Sequence, residues 1–381
     1  MKKLAIIGAS YLQEPLIRKA IEMGLETHVF AWECGDIGEK IADFFYPISI
    51  IEKDLILEKC REIKIDGICT IASDLAVITV NYVACAMGLV SNSMECTEVS
   101  TNKNSMRRCF EKNGDPSPKS ILVGSINDLA DVKLDYPIIV KPLDRSGSRG
   151  ITKLNDENGL ENAIEHAIEE GFEKKALVEE YATGQEYSIE SISWKGTHKL
   201  LAITKKYTTG SPAFIETGHL EPADISVGLK EKIENVVYHA LDSLGVEYGA
   251  SHTELKIDSD EKINIIEIGG RMGGDFIGSN LVEISTGVDF VKAVIQVALG
   301  EKPDLTKTHE ERIAAVRFIF SEEDVSVFNL IEKNNPEIIV SSDIPKKVDG
   351  KITDSSNRLG YYLMMADDIG VVRRYMPDDR N

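Results

Sequence analysis

Two short β-type runs, Ser251-His-Thr-Glu-Leu-Lys-Ile257 and Lys262-Ile-Asn-Ile-Ile-Glu-Ile268, flank the polar break Asp258-Ser-Asp-Glu261 and lead into Gly269-Gly-Arg-Met-Gly-Gly274. Such runs around an Asp/Ser-rich break read as an antiparallel hairpin. A turn centred near Asp260 sets Glu254 opposite Glu267, and period-two alternation gives Glu267 the face of Ile263 and Ile265. Two carboxylates opposed on an apolar face repel. A shared divalent cation resolves the conflict, and Mg²⁺ is commonly held by one or two carboxylates together with nucleotide phosphates. The plain alternative is a pair of edge carboxylates facing water. Against it stand the bare glycine backbone, which lets a ligand approach, and Arg271, whose guanidinium forks onto phosphate or carboxylate.

Working outward, 381 residues suit two or three domains, and 43% hydrophobic with 28% charged residues is ordinary for a globular protein. The net charge of −20 and the absence of a basic stripe argue against nucleic acid. The apolar run Leu4 to Ile7 is too short for a signal peptide, and no stretch is long enough to span a membrane. Cys34, Cys60, Cys69, Cys85, Cys96 and Cys109 make no C-x-x-C pair and read as free thiols of a cytoplasmic protein.

The chain begins as β-α-β: a strand at Leu4–Ile7, a helix from Glu14 to Met23, a strand at Thr27–Trp32, and a later strand at Asp66–Ile71. Gly8 lacks the G-x-G-x-x-G spacing of a dinucleotide site and reads as a tight turn. Ser73-Asp74, at a strand's carboxyl end, is placed either to touch a ligand or to cap a helix. Cys96 to Phe110 reads as one helical stretch with Lys103 near its start. After the turn Asn113-Gly-Asp-Pro-Ser-Pro118 comes Tyr136-Pro-Ile-Ile-Val-Lys-Pro142, a buried strand ending on Lys141. The loop Leu143-Asp-Arg-Ser-Gly-Ser-Arg-Gly150 offers backbone N–H groups and two arginines to phosphate without P-loop spacing. Further strands are read at Ala176–Tyr181 and Glu186–Ile192. Thr208 to Glu221, with Glu216 and His219, is read as a loop. Strands at Ile313–Phe320 and Ile338–Val340 follow.

The order of these pieces resembles the ATP-grasp superfamily over nearly the whole chain. The resemblance rests on Ile139-Val-Lys-Pro142 with Ser146-Gly-Ser-Arg-Gly150, on Val178-Glu-Glu-Tyr181 with Glu186, and on Glu254, Glu267 and Arg271. It implies a mixed α/β (α+β) chain with an ATP-grasp fold: a pre-ATP-grasp β-α-β domain at 1–95, an ATP-grasp domain at 96–300 and a C-terminal lobe at 301–381. Within the ATP-grasp domain, a nucleotide-binding subdomain would span about 115–185 and a metal and substrate subdomain about 186–300.

By the same resemblance, ATP phosphates are contacted by Lys103, Lys141 and the loop Arg145, Ser146, Gly147, Ser148, Arg149 and Gly150. Glu179, Glu180 and Tyr181 meet the adenine, chiefly through backbone, and Glu186 holds the ribose. Glu254 and Glu267 bind Mg²⁺ or Mn²⁺, and Arg271 stabilises the tetrahedral and acyl-phosphate species. Many members carry Asn two residues after the second metal glutamate; here Gly269 stands there, which puts the second ion in question. The stretches Phe214-Ile-Glu-Thr-Gly-His219 and His252-Thr-Glu254 look most like the carboxylate–amine ligases that join amino acids, with Glu216 and His219 facing substrate. The resemblance therefore implies a ligase for a small carboxylate and an amine, often a homodimer. A bicarbonate-using carboxylase or carbamoyl-phosphate-type enzyme, and a non-catalytic Mg-ATP-binding protein, stay open as alternatives.

Overall fold

The computed structural model describes residues 1–144, 149–211, 213–348 and 357–378. Strands β1 (Lys3–Ile7), β2 (Glu26–Phe30), β3 (Phe44–Tyr46) and β4 (Gly67–Cys69) form a parallel sheet in the order β3-β2-β1-β4. Leu4 and Ile6 pack with Leu16, Ile17 and Ala20 of the helix Glu14–Glu22, while Ala5 and Ile7 pack with Ile56, Cys60, Val83 and Ala84. Both faces are covered, as a parallel sheet built by helical crossovers requires.

The second sheet contains β5 (Ser120–Val123), β6 (Ile138–Pro142), β7 (Thr152–Leu154) and β8 (Ala176–Glu180), antiparallel in the order β5-β8-β6-β7. Ile138, Val140, Ala176 and Val178 pack beneath Ala163, Ile164 and Ala167 of the helix Leu160–Glu170. Alternation then sends Lys141 and Glu179 to the opposite face.

The third sheet has eight strands. They are β9 (Gln185–Trp194), β10 (Thr197–Thr208), β11 (Glu216–Glu221), β12 (Tyr248–Ile257), β13 (Ile263–Gly269), β14 (Ile313–Ile319), β15 (Ile339–Asp343) and β16 (Gly360–Ala366), in the order β13-β12-β9-β10-β11-β14-β16-β15. The strands after residue 301 thus continue the sheet that carries the hairpin. The helix Val227–Leu244 covers the half formed by Ile189, Ile203, Leu255, Ile257, Ile263, Ile265 and Ile268.

Three expectations are corrected here. The stretch Cys96–Phe110 is two helices, Met94–Thr101 and Lys103–Asn113, broken at Asn102, whose side chain accepts from Asn104 and Ser105 N–H and caps the second helix. Residues 216–221 form a strand rather than a loop, seated between β10 and β14. Gly218 permits this close approach, because a Cβ there would lie 2.7 Å from the Val316 carbonyl oxygen.

The third correction concerns the hairpin face. Glu254 does oppose Glu267, but the register near the turn is Leu255↔Ile265 and Ile257↔Ile263. A bulge between Glu254 and Leu255 leaves Ile266 as the extra residue. Past it the phase slips by one, so Ile268 joins Ile263 and Ile265 in the core. Glu267 turns to the opposite face and is not among apolar neighbours there.

Candidate active site

A second bulge completes the site face. On β10 and β11 the pairing runs Lys206↔His219 and Tyr207↔Gly218, then shifts to Thr208↔Glu216, leaving Thr217 as the extra residue. The shift puts Glu216 on the face of His219, as the first bulge puts Glu267 on the face of Glu254. One face of the large sheet therefore carries Glu186 and Glu190 from β9, Lys206 from β10, Glu216 and His219 from β11, His252 and Glu254 from β12, and Glu267 from β13.

Lys206 stands at the centre of this row. Its side chain is 1% exposed, and its Nζ lies 2.6 Å from Glu216, 2.9 Å from Glu254 and 3.1 Å from Glu186. Burial alone would lower its pKa, yet these carboxylates hold it well above the usual lysine range. Burial would likewise raise Glu216 and Glu254, but the Lys206 charge, aided by His219 at the first and His252 at the second, holds both well below the carboxylate range. His252 bridges Glu190, through Nδ1, and Glu254, 3.4 Å from Nε2. Despite burial, which opposes it, the Glu190 charge raises the imidazole to about 9.

On the hairpin's outer side, Lys103 Nζ donates to Glu267 at 3.0 Å from the first turn of its helix. Arg271 donates to Asp74 through Nε at 2.8 Å and Nη2 at 2.7 Å. Ser73 caps the helix Asp74–Met87, so cap and contact fall on successive residues.

Toward the smaller antiparallel sheet, Lys141 Nζ lies 2.6 Å from Glu179, which also takes Arg107 Nε at 2.9 Å. Burial pushes Glu179 up, but the two cations win and it stays ionised. Its side chain is thus engaged within the protein, whereas Glu180 is half-exposed beside Lys119. The Tyr181 ring lies 3.7 Å from Lys153 Nζ and 5.3 Å from Lys256 Nζ. Glu186 sits between Lys206 and Lys256, the latter at 3.9 Å. Arg149 is exposed and Gly150 takes a left-handed φ of 67°. Arg145, Ser146, Gly147 and Ser148 lie outside the described residues.

At the far end, His219 is fully buried, 3.4 Å from Glu216, with its ring edge-on to Phe318 at 5.5 Å. Arg358, just before β16, stacks on Phe318 at 3.8 Å. It pairs with Asp275 at 2.7 Å and approaches Glu216 at 3.4 Å. Glu216, His219 and Asp275 place ligand atoms within 4.8 Å of one another, but Arg358 already supplies positive charge to both carboxylates there.

The fold thus brings Glu186, Glu216, His219, Glu254 and Glu267 to one face of the large sheet, sets Lys103 and Arg271 beside its hairpin and Lys141, Glu179 and Tyr181 on the side of the smaller sheet, and leaves Glu180 exposed. Several residues of the site were not foreseen as parts of it, Lys206, Arg107, His252 and Arg358 among them. Lys206 left a signal, since Thr204, Lys206 and Thr208 share one phase of a strand and put a lysine on its buried side. Arg358 left none, being delivered by a connection far along the chain. The oxygen-only pair Glu254 and Glu267, opposed across the hairpin, has the donor chemistry of a site for a hard divalent ion of the Mg²⁺ type, and Lys206 and Lys103 are the cations such an ion would compete with.

Residues 134–279 match the ATP-grasp domain family. The alanine–anticapsin ligase of Bacillus subtilis is 28% identical over 308 residues, covering 71% of this chain and 65% of that protein's length, just under two thirds. The L-amino acid ligase structure from Bacillus licheniformis superposes with a TM-score of 0.82 at 24% identity, over 98% of this chain and 96% of that one. The phosphoribosylglycinamide synthetase structure from Anaerococcus prevotii gives 0.77 at 21% identity, over 98% and 96%. Residues 134–279 thus match an ATP-grasp domain, and the chain as a whole shares the fold of these two structures.

Proposed function

We propose that the protein is an ATP-dependent carboxylate–amine ligase that forms an amide or peptide bond through an acyl phosphate, releasing ADP and phosphate. The observation that carries the reading is the convergence of Glu254, Glu267, Lys103 and Arg271, all half-buried, around the buried Lys206 and its neighbours. The partial likeness to an alanine–anticapsin ligase supports it. A substrate carboxylate attacks the γ-phosphoryl group of ATP, and the amine then attacks the acyl carbon and expels phosphate. Such transfer is chiefly positioning and charge neutralisation, which suits a site of lysines, arginine and carboxylates without a nucleophile triad.

In this reading Lys103, Lys141 and the 145–150 loop face the phosphates, Tyr181 and its neighbours border the adenine, and Glu186 meets the ribose. Glu254 and Glu267 would hold Mg²⁺, or Mn²⁺ in its place, which neutralises phosphate charge when bound. Arg271 stabilises the anionic acyl-phosphate and tetrahedral species. Glu216 holds the incoming ammonium, and His219, 3.4 Å away, donates to the developing oxyanion. The substrates are small molecules in the cytoplasm. Among the described residues no helix is long and apolar enough to cross a membrane.

The test is ADP release from Mg-ATP against single amino acids, amino-acid pairs, simple carboxylates and bicarbonate. Release that needs an acid and an amine together, with a condensed mass in the product, is the expected result. Release with bicarbonate alone would replace this reading with a carboxylase.

A further inference from the structure

In this chain Gly269 stands where many superfamily members have a metal-binding asparagine, and the structure gives that departure a physical reason. A Cβ built on Gly269 would lie 2.6 Å from Asp74 Oδ1 and 3.2 Å from Arg271 Cζ. No side chain fits there, because the space is filled by a carboxylate arriving from the N-terminal parallel sheet. We propose that Asp74 is the positioning residue for Arg271, occupying the room left by the missing side chain at 269. This rests on the assignment of Arg271 to the reacting group made above.

Three observations support it. First, the contact is bidentate, with Nε and Nη2 of Arg271 donating to the two oxygens of one carboxylate at 2.8 and 2.7 Å. A fork of this kind fixes the plane of the guanidinium as well as its place. Nη1 donates to the Met272 carbonyl at 3.4 Å, which ties the guanidinium to the turn that follows it.

Second, Arg271 lies within the fields of Glu254 and Glu267, both of which favour its charged form after Asp74 does. A long cation next to two nearby carboxylates would otherwise fold onto them. Asp74 holds it off the pair proposed to bind metal, leaving those oxygens to Lys206 and Lys103.

Third, the backbone around Asp74 is built to hold it in place. Ala72 adopts a left-handed φ of 56°, unusual for a residue with a Cβ, and its N–H donates to the Met272 carbonyl at 3.1 Å. The connection after β4 is thus tied to the glycine-rich turn one residue past Arg271. Asp74 also sits in the first turn of its helix, where the exposed N–H groups favour a carboxylate. The N-terminal domain thereby reaches the reacting end of the site with one side chain.

The experiment is a set of steady-state measurements of ADP formation with Mg-ATP and the amino-acid pair that gives the fastest release. Asp74→Ala should lower kcat by about 10–100-fold, the range for outer partners of a functional group, with KM for ATP changed less than about twofold. Gly269→Asp should impair the otherwise unaltered protein through the clash. In the Asp74→Ala background the same substitution should instead recover kcat, because it returns a carboxylate to the vacated space. A purely structural clamp would not reverse sign in this way. Asp74→Asn, which keeps the shape, guards against loss of folding, read from its melting temperature, and should show the same selective loss in kcat. If Arg271→Ala abolishes turnover while Asp74→Ala and Asp74→Asn keep kcat within twofold, the positioning proposal fails alone. If Arg271→Ala keeps full turnover, the functional reading of Arg271 fails instead. Gly269→Asp impairing both backgrounds equally would also overturn the proposal.

Discussion

Replacing Lys206 by methionine removes one charge and keeps most of the apolar stem. Three carboxylate oxygens, from Glu186, Glu216 and Glu254, lie within 3.1 Å of that one nitrogen. They are therefore about 6 Å apart or less, where two like charges repel by about 3 kcal/mol at an effective dielectric constant of about 20. Proton uptake limits the damage, so the expected loss is about 3–5 kcal/mol, the range for removing one partner of a buried ion pair. For 381 residues unfolding as one unit, about 2.1 cal/mol/K per residue makes this about 4–6 °C in melting temperature.

The pH dependence carries the sharper information. Lys206, raised above its ordinary value, contributes stability below the unfolded lysine pKa and loses it only as pH rises through the folded one. Glu216 and Glu254, lowered, contribute above the unfolded carboxylate pKa and lose it as pH falls through their depressed values. Between pH 5 and 8 these three groups therefore keep their charges, and His252, raised to about 9, is the neighbour whose contribution falls as pH rises past about 6.5 in both proteins. In the Lys206→Met protein the carboxylates have lost their main partner and take up protons more readily. Its deficit should be full at pH 8 and clearly smaller at pH 5. Thermal melts of both proteins at the two pH values measure this. A melting temperature equal to the unaltered protein's at pH 8, or a deficit that does not change with pH, would refute the electrostatic role given to Lys206.

Other outcomes follow from neighbouring groups. Burial raises Glu221 to about 7, against hydrogen bonds from Ser285 and Thr204 that oppose it. A raised carboxyl makes folding less favourable as pH climbs from about 4.5 to 7, so Glu221→Gln should gain about 3 kcal/mol relative to the parent across that interval and no more above it, read by urea unfolding. Glu267→Ala should abolish Mg²⁺-dependent protection by nucleotide in thermal shift, and undiminished protection would remove the hairpin from the metal site. Arg271→Ala should cut ADP formation by about 10²–10³-fold, as loss of a transition-state donor does. Gly184 has φ of 106° and lies against the Ile257 carbonyl, so Gly184→Ala should destabilise by about 1–3 kcal/mol in the same melts.

Local pattern carried much of this architecture. The run Leu4–Ile7 announces a strand buried on both faces, and the break at Asp258–Glu261 announces the hairpin and the opposition of Glu254 to Glu267. Period-two counting failed where the chain departs from period two. The bulges at Ile266 and Thr217 turn Glu267 and Glu216 onto the site face, and nothing in the identity of those residues marks an extra position. The strand Glu216–Glu221 read as a loop because its threonine, glycine and histidine lack β-branched apolar runs; its place between two long strands makes it a strand. Arg358 and Asp74 reach the site from elements far apart in sequence, so only tertiary structure could bring them to Glu216 and Arg271. Gly269, a puzzling departure as sequence, becomes intelligible once the Asp74 carboxylate is seen in the space beside it.

The central claim is that a substrate carboxylate takes the γ-phosphoryl group before the amine arrives. It is tested most directly by labelling both carboxylate oxygens of the accepted acid with ¹⁸O and weighing the phosphate released during turnover. Transfer of one ¹⁸O into each phosphate is the predicted result. Phosphate without the label, formed alongside the condensed product, would contradict an acyl-phosphate route.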